Sequence, residues 1–138
     1  MAELSIDILT PSKLAYSAEV KAVTIPGTAG SFQVLQNHAP LLSTFEVGAI
    51  KIIVDENNTK YFSTSGGSVE VLSNKIKVLA DSLEAINEID VDRAKNAQKR
   101  AEDRLANRLV DKIDVTRAEA ALARAINRLK LYEKYSNS

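Results

Sequence analysis

The 138-residue chain contains no cysteine. Disulfide scaffolds, thiolate metal sites and cysteine nucleophiles are excluded together. It has one histidine, His38, just before Ala39-Pro40. A single imidazole without a thiolate or a second histidine does not make a zinc set. His38 is expected to form a structural hydrogen bond in a loop, and no metal is expected. Net charge is also missing: 18 Lys and Arg balance 18 Asp and Glu. Without a basic excess there is no general hold on a polyanion, so nucleic acid is not an expected partner. No apolar run approaches the roughly 20 residues that span a bilayer as a helix. The opening Met1-Ala2-Glu3-Leu4-Ser5-Ile6-Asp7 has an early acid and no apolar core of signal-peptide length. The expectation is a soluble protein that meets a membrane only through a partner.

Catalytic patterns are scarce as well. No serine sits in a Gly-x-Ser-x-Gly elbow. The pair Gly66-Gly67 runs into Ser68-Val69-Glu70-Val71, a strand pattern, whereas a phosphate loop needs a lysine and a helix N-terminus. A turn or bulge is expected there, and no catalytic residue.

What is present falls into two parts. All five glycines and all three prolines precede Ser68, and none follows it, which marks a change of architecture. In the first part apolar residues alternate: Leu4, Ile6, Ile8; Val23, Ile25; Phe32, Val34; Ile50, Ile52, Val54; Val69, Val71; Ile76, Val78, Ala80. Turn signals such as Pro11-Ser12, Pro26-Gly27 and Glu56-Asn57-Asn58 separate them. Period two with frequent turns predicts an antiparallel sandwich or barrel. In the second part Ala94, Ala97, Ala101, Leu105 and Ala118, Leu122, Ala125, Leu129, Tyr132 recur three or four apart, the helical period. Asp90 and Asp114 stand where N-caps belong. The fold class is α+β: an N-terminal antiparallel β-sandwich or barrel over residues 1–85, then a C-terminal antiparallel two-helix hairpin over residues 86–138.

An internal repeat supports the hairpin. Ile89-Asp90-Val91-Asp92-Arg93-Ala94 returns as Ile113-Asp114-Val115-Thr116-Arg117-Ala118. The match continues through Ala97/Ala121, Arg100/Arg124, Ala101/Ala125, Arg104/Arg128 and Leu105/Leu129, so ten of seventeen positions agree. Arg93 and Arg100 share one helix face, and Arg124 and Arg128 share another. If those faces converge, several guanidiniums surround one anion, for which their planar forks are suited. Glu84 and Asp90 could then accept from an adenine amino group or ribose hydroxyls. The alternative is a solvated face whose arginines pair with Asp92, Glu102, Asp103 and Glu119.

Two further signatures carry a resemblance. Asn37-His38-Ala39-Pro40-Leu41 is similar to a Gly-His-Ala-Pro-Leu loop, and Ser65-Gly66-Gly67 with Val69-Glu70-Val71 to a Ser-Gly-Gly-aromatic-Val-Glu-Val strand pair. In this order, over nearly the whole chain, the sequence resembles the epsilon subunit family of F-type ATP synthases. It departs from that pattern at Gln33, Gln36-Asn37 and Ser68, which stand for Gly, Pro-Gly and an aromatic. The resemblance implies a β-domain that docks on the gamma subunit and the c-ring. It also implies a hairpin that either folds down or extends into the alpha/beta catalytic hexamer and blocks hydrolysis. No cofactor is required. A regulatory ATP is implied on an Ile/Leu-Asp-x-x-Arg-Ala motif matched by Ile89, Asp90, Arg93 and Ala94, with Glu84, Arg100, Arg124 and Arg128 as further residues of that site. The implied place is peripheral, on the cytoplasmic face of a bacterial plasma membrane or, as the alternative, on a plastid thylakoid. Two rivals remain: a free-standing sandwich-and-hairpin adaptor, and a small ATP sensor acting alone.

Overall fold

The computed structural model describes residues 3–109 and 114–136. The expectations for Met1, Ala2 and Ile113 lie outside them. The chain divides into two compact units, Met1–Ala85 and Ile86–Ser138.

Among the described residues the first unit holds eight strands: β1 (Ser5–Leu9), β2 (Leu14–Glu19), β3 (Ala22–Ile25), β4 (Phe32–Leu35), β5 (Leu41–Asp55), β6 (Asn58–Leu72), β7 (Lys75–Ala80) and β8 (Leu83–Ala85). They form one open sheet in the order β2-β1-β7-β6-β5-β3-β4, with β8 on β6. The sheet doubles over into a sandwich because its two central strands are shared. β5 and β6, 15 residues each, pair along their length. On β6, β7 pairs with Gly67–Leu72 and β8 with Phe62–Thr64, while β3 pairs with Lys51–Ile53 of β5. Strands that pass from one layer to the other make the corners of such packings.

Gly66 and Gly67 sit in mid-strand at that passage, not in a turn. A Cβ on Gly67 would lie 2.0 Å from the Leu79 carbonyl oxygen on β7, so only glycine permits the approach. One long strand, β6, therefore replaces the shorter ones predicted on either side of Gly66-Gly67. The core joins both layers: Ile6 and Ile8 of β1, Val23 and Ile25 of β3, Ile50 and Ile52 of β5, Val69 and Val71 of β6, Ile76 and Val78 of β7. Each buried side chain of this kind contributes about 1.5–3 kcal/mol relative to exposure. The register is thus fixed, since a one-residue slip would turn all of them outward.

The sandwich has the expected antiparallel pairings except one. β1 runs parallel to β7, with Ile6 opposite Ile76 and Ile8 opposite Val78. β2 returns antiparallel beside β1 as an edge strand. The β6–β7 hairpin turns on Ser73 and Asn74, with φ of 49° and 62°, the paired positive values of a tight two-residue turn. His38 donates from Nδ1 to the Ala39 carbonyl at 2.7 Å.

The second unit starts with a 3-10 turn, Ile86–Glu88, followed by helices α1 (Val91–Ala106) and α2 (Val115–Tyr135). The helices pack on each other. The eight-residue connection, 107–114, makes them an antiparallel hairpin. Their contact is built on the repeat. Ala94 and Ala101 of α1 and Ala118 and Ala125 of α2 are buried, each pair seven residues apart. Small side chains let the axes come close but bury little apolar area, so this seam is weakly held compared with the sandwich core. Ile86, Ile89 and Leu131 add the larger buried groups.

Candidate functional site

Both helices begin the same way. Asp90 has φ −82° and ψ 100°, and its Oδ1 accepts from the Arg93 N–H at 3.0 Å. Asp114 has φ −82° and ψ 99°, and its Oδ1 accepts from the Arg117 N–H at 3.0 Å. Each aspartate satisfies a first-turn amide that has no partner within its helix. In the first copy Ile89 and Ala94 are buried, whereas Arg93 is exposed. Three positions of the Ile-Asp-x-x-Arg-Ala motif are therefore occupied by starting and seating the helix. The Arg93 side chain is left for solvent or a ligand.

An arginine immediately precedes every seam alanine: Arg93-Ala94, Arg100-Ala101, Arg117-Ala118 and Arg124-Ala125. Two more, Arg104 and Arg128, follow Arg100 and Arg124 by four. At about 100° per residue these six lie roughly 80–120° to one side of the first seam alanine of their helix. In an antiparallel pair, equivalent positions of the two helices flank the same side of the seam. One edge of the hairpin is thus lined by six arginines. The other carries the half-buried Gln98, Leu105, Leu122 and Leu129.

The sequence-predicted residues are distributed as follows. Ile89, Asp90, Arg93 and Ala94 lie together at the start of α1. Arg100 lies two turns on, exposed; on α2, Arg124 is exposed and Arg128 half-buried. Glu84 belongs to the other unit, half-buried in β8 opposite Ser63. The structure brings the four arginines to one edge, and to that edge it adds Arg104 and Arg117. Their signal was in the repeat, which matches Arg104 with Arg128 and Arg93 with Arg117. Among the described residues, no group of three or more His, Asp or Glu is placed to hold a metal ion.

The chain is thus a β-sandwich followed by a thinly seamed two-helix hairpin with an arginine-lined edge. Residues 3–86 match the family described as ATP synthase, delta/epsilon chain, beta-sandwich domain. Residues 87–133 match its long alpha-helix domain. The ATP synthase epsilon chain of Desulforamulus reducens is 45% identical over 130 residues, covering 93% of this chain and 96% of that one. That of Syntrophobacter fumaroxidans is 43% identical over 135 residues, covering 97% and 99%. A chain of the Euglena gracilis mitochondrial ATP synthase (OSCP/F1/c-ring) shares the fold at a TM-score of 0.69 and 17% identity, covering 99% of this chain and 81% of that one. The protein belongs to the delta/epsilon family of ATP synthase chains, and within it to the epsilon chains, as a non-catalytic subunit of the complex.

No helix among the described residues is long and apolar enough to cross a membrane.

Proposed function

We propose that the chain is a regulatory subunit of the central stalk. Its sandwich docks on the gamma subunit and the c-ring. Its hairpin restrains ATP hydrolysis from within the alpha/beta hexamer. The observation that carries this reading is the 40–45% identity to bacterial epsilon chains over at least 91% of the chain, spanning sandwich and hairpin alike. Two fold neighbours are in keeping with that docking, one a chain of an assembly of F1 and a c-ring and the other of a central stalk and c-ring. The bacterial relatives support a peripheral place on the cytoplasmic face of the plasma membrane, reached through these partners.

The hairpin also takes a regulatory ATP in its folded state. The base and ribose lie by Asp90, the phosphates lie on Arg93, Arg100, Arg124 and Arg128, and Ile89 and Ala94 seat the helix. A ligand shifts a two-state hairpin only by its differential affinity for the two states. At ten times its dissociation constant ATP contributes about 1.4 kcal/mol, a tenfold change in population. The thin alanine seam is consistent with states that close in energy.

The test titrates the purified chain into a catalytic core depleted of this subunit while ATP hydrolysis is recorded. Saturable inhibition near one chain per core, lost when the chain ends at Ala85, is the expected result. Binding without inhibition would remove the regulatory role, and absence of binding would remove the stalk assignment.

A further inference from the structure

The His38 Nδ1 donates to the Ala39 carbonyl, so the neutral ring carries its proton there and leaves Nε2 as an acceptor. We propose that this second nitrogen makes docking of the sandwich on the stalk proton-sensitive. The neutral ring accepts a hydrogen bond from the partner, and a proton on Nε2 opposes docking. The inference rests on the stalk docking proposed above and adds a regulation to it.

His38 sits in a surface kept free of charge. From Ala22 to Phe45 the chain has no Asp, Glu, Lys or Arg, although these make up 26% of its residues. Burial does not explain their absence. Leu35 is 52% and Leu42 76% exposed, and Gln36, Asn37, Ala39 and Pro40 between them are exposed as well. Such a surface has the composition of the central part of an interface, where charged residues are depleted. It is also held in shape. Asn37 is tied to Asn74 in the β6–β7 turn, and the His38 N–H closes a turn on the Leu35 carbonyl at 3.2 Å. Within the run, half-buried His38 is the residue that can gain a full positive charge.

The charged residues of the neighbouring elements do not answer His38. Lys21 precedes Ala22, which pairs with Leu35. Lys75 opens β7 just after Asn74. Glu3 lies two residues before Ser5, whose N–H the Asn74 carbonyl accepts at 3.0 Å, and Glu70 of β6 stands opposite Leu42. Among the described residues none of these four bonds to His38, whose hydrogen bonds run to Leu35 and Ala39. A proton added at Nε2 therefore meets no carboxylate of this chain. In a closed interface it turns an acceptor into a donor facing the donor it had accepted from, and it buries a charge without a counterion. Histidine is the side chain that makes this change between about pH 8 and 5. Docking weakens as pH falls through that range.

The experiment titrates the full chain into membranes carrying an ATP synthase stripped of this subunit, at about pH 8 and about pH 6, and measures the amount retained. The unaltered chain is compared with His38→Gln, neutral at both values, and His38→Lys, charged at both. Unchanged circular dichroism would show that the variants fold. The expected result is a roughly tenfold loss of affinity for the unaltered chain on going to the lower pH, and less than about twofold for His38→Gln. His38→Lys should bind about tenfold more weakly than His38→Gln at both values. No loss for the unaltered chain, or an equal loss for His38→Gln, would overturn the assignment. Docking that tightens in acid would reveal a partner carboxylate at His38 and overturn it too, as would His38→Lys binding as well as His38→Gln. Failure of the unaltered chain to bind at either pH would overturn the stalk docking itself, and this inference with it.

Discussion

Asn37 and Asn74 hold one another across 37 positions of the chain. The Asn37 N–H donates to the Asn74 side-chain oxygen at 2.6 Å, and the Asn74 Nδ2 donates back to the Asn37 Oδ1 at 3.2 Å. Both backbones are left-handed, with φ of 64° and 62°, a conformation that asparagine tolerates better than most residues. The loop carrying His38-Ala39-Pro40 is thereby tied to the β6–β7 turn. Asn74→Gly keeps the turn and loses the tie, so it should cost about 1 kcal/mol. Asn74→Ala adds backbone strain and should cost about 2 kcal/mol or more. Urea unfolding of the two variants checks the order.

The duplicated helix starts separate a structural aspartate from one with a second duty. Asp90→Ala and Asp114→Ala should each destabilise the helical unit by about 1 kcal/mol, the usual cost of a lost N-cap. Only Asp90→Ala should also weaken ATP binding in calorimetry. Equal effects of the two on ATP would count against a site at the start of α1.

Gly67 admits no side chain. Gly67→Ala drives a methyl into the Leu79 carbonyl and should cost about 3 kcal/mol or more by parting β6 from β7. Gly30→Ala is the control. It has φ +133° but nothing within 4 Å of the added carbon, so it should cost only the backbone strain, about 1–2 kcal/mol.

Tyr16 should titrate late. Its ring lies 5.2 Å from that of Phe62, and burial raises its pKa above the ordinary 10.0. The folded value exceeds the unfolded one, so the neutral phenol is the form the fold favours. Its contribution to stability is complete below pH 10 and disappears as pH rises through the folded value. Absorbance titration of the four tyrosines should show one lagging, and Tyr16→Phe should remove that one.

Much of the fold was legible because it rests on local chemistry. Asp90 and Asp114 announce the helix starts, and the alternation of Ile6/Ile8 or Ile76/Val78 announces strands with one wet face. Strand direction was not legible. Alternation is the same read either way, so the parallel pairing of β1 with β7 left no mark in the sequence. β2, with its mixed run Leu14-Ala15-Tyr16-Ser17-Ala18-Glu19, has no clean period because it is an edge strand with little to bury. Gly66-Gly67 suggested a turn since glycine more often marks a bend in the chain than an approach by a neighbouring strand. Ser68, where the resemblance leads one to expect an aromatic, is half-exposed beside Thr44 and Leu79, and the core is complete without it. At the hairpin, the resemblance supplied four arginines. The antiparallel packing and the buried alanines place two more beside them.

The sharing of β5 and β6 between both layers has a mechanical meaning. A load applied to one layer does not have to cross an interface of side chains to reach the other, because it travels along unbroken backbone. Sliding the layers apart would require stretching or bending both continuous strands where they pass between the layers, near Gly66 and Gly67. The two layers are therefore joined by covalent chain as well as by their shared core, and neither can move far without the other.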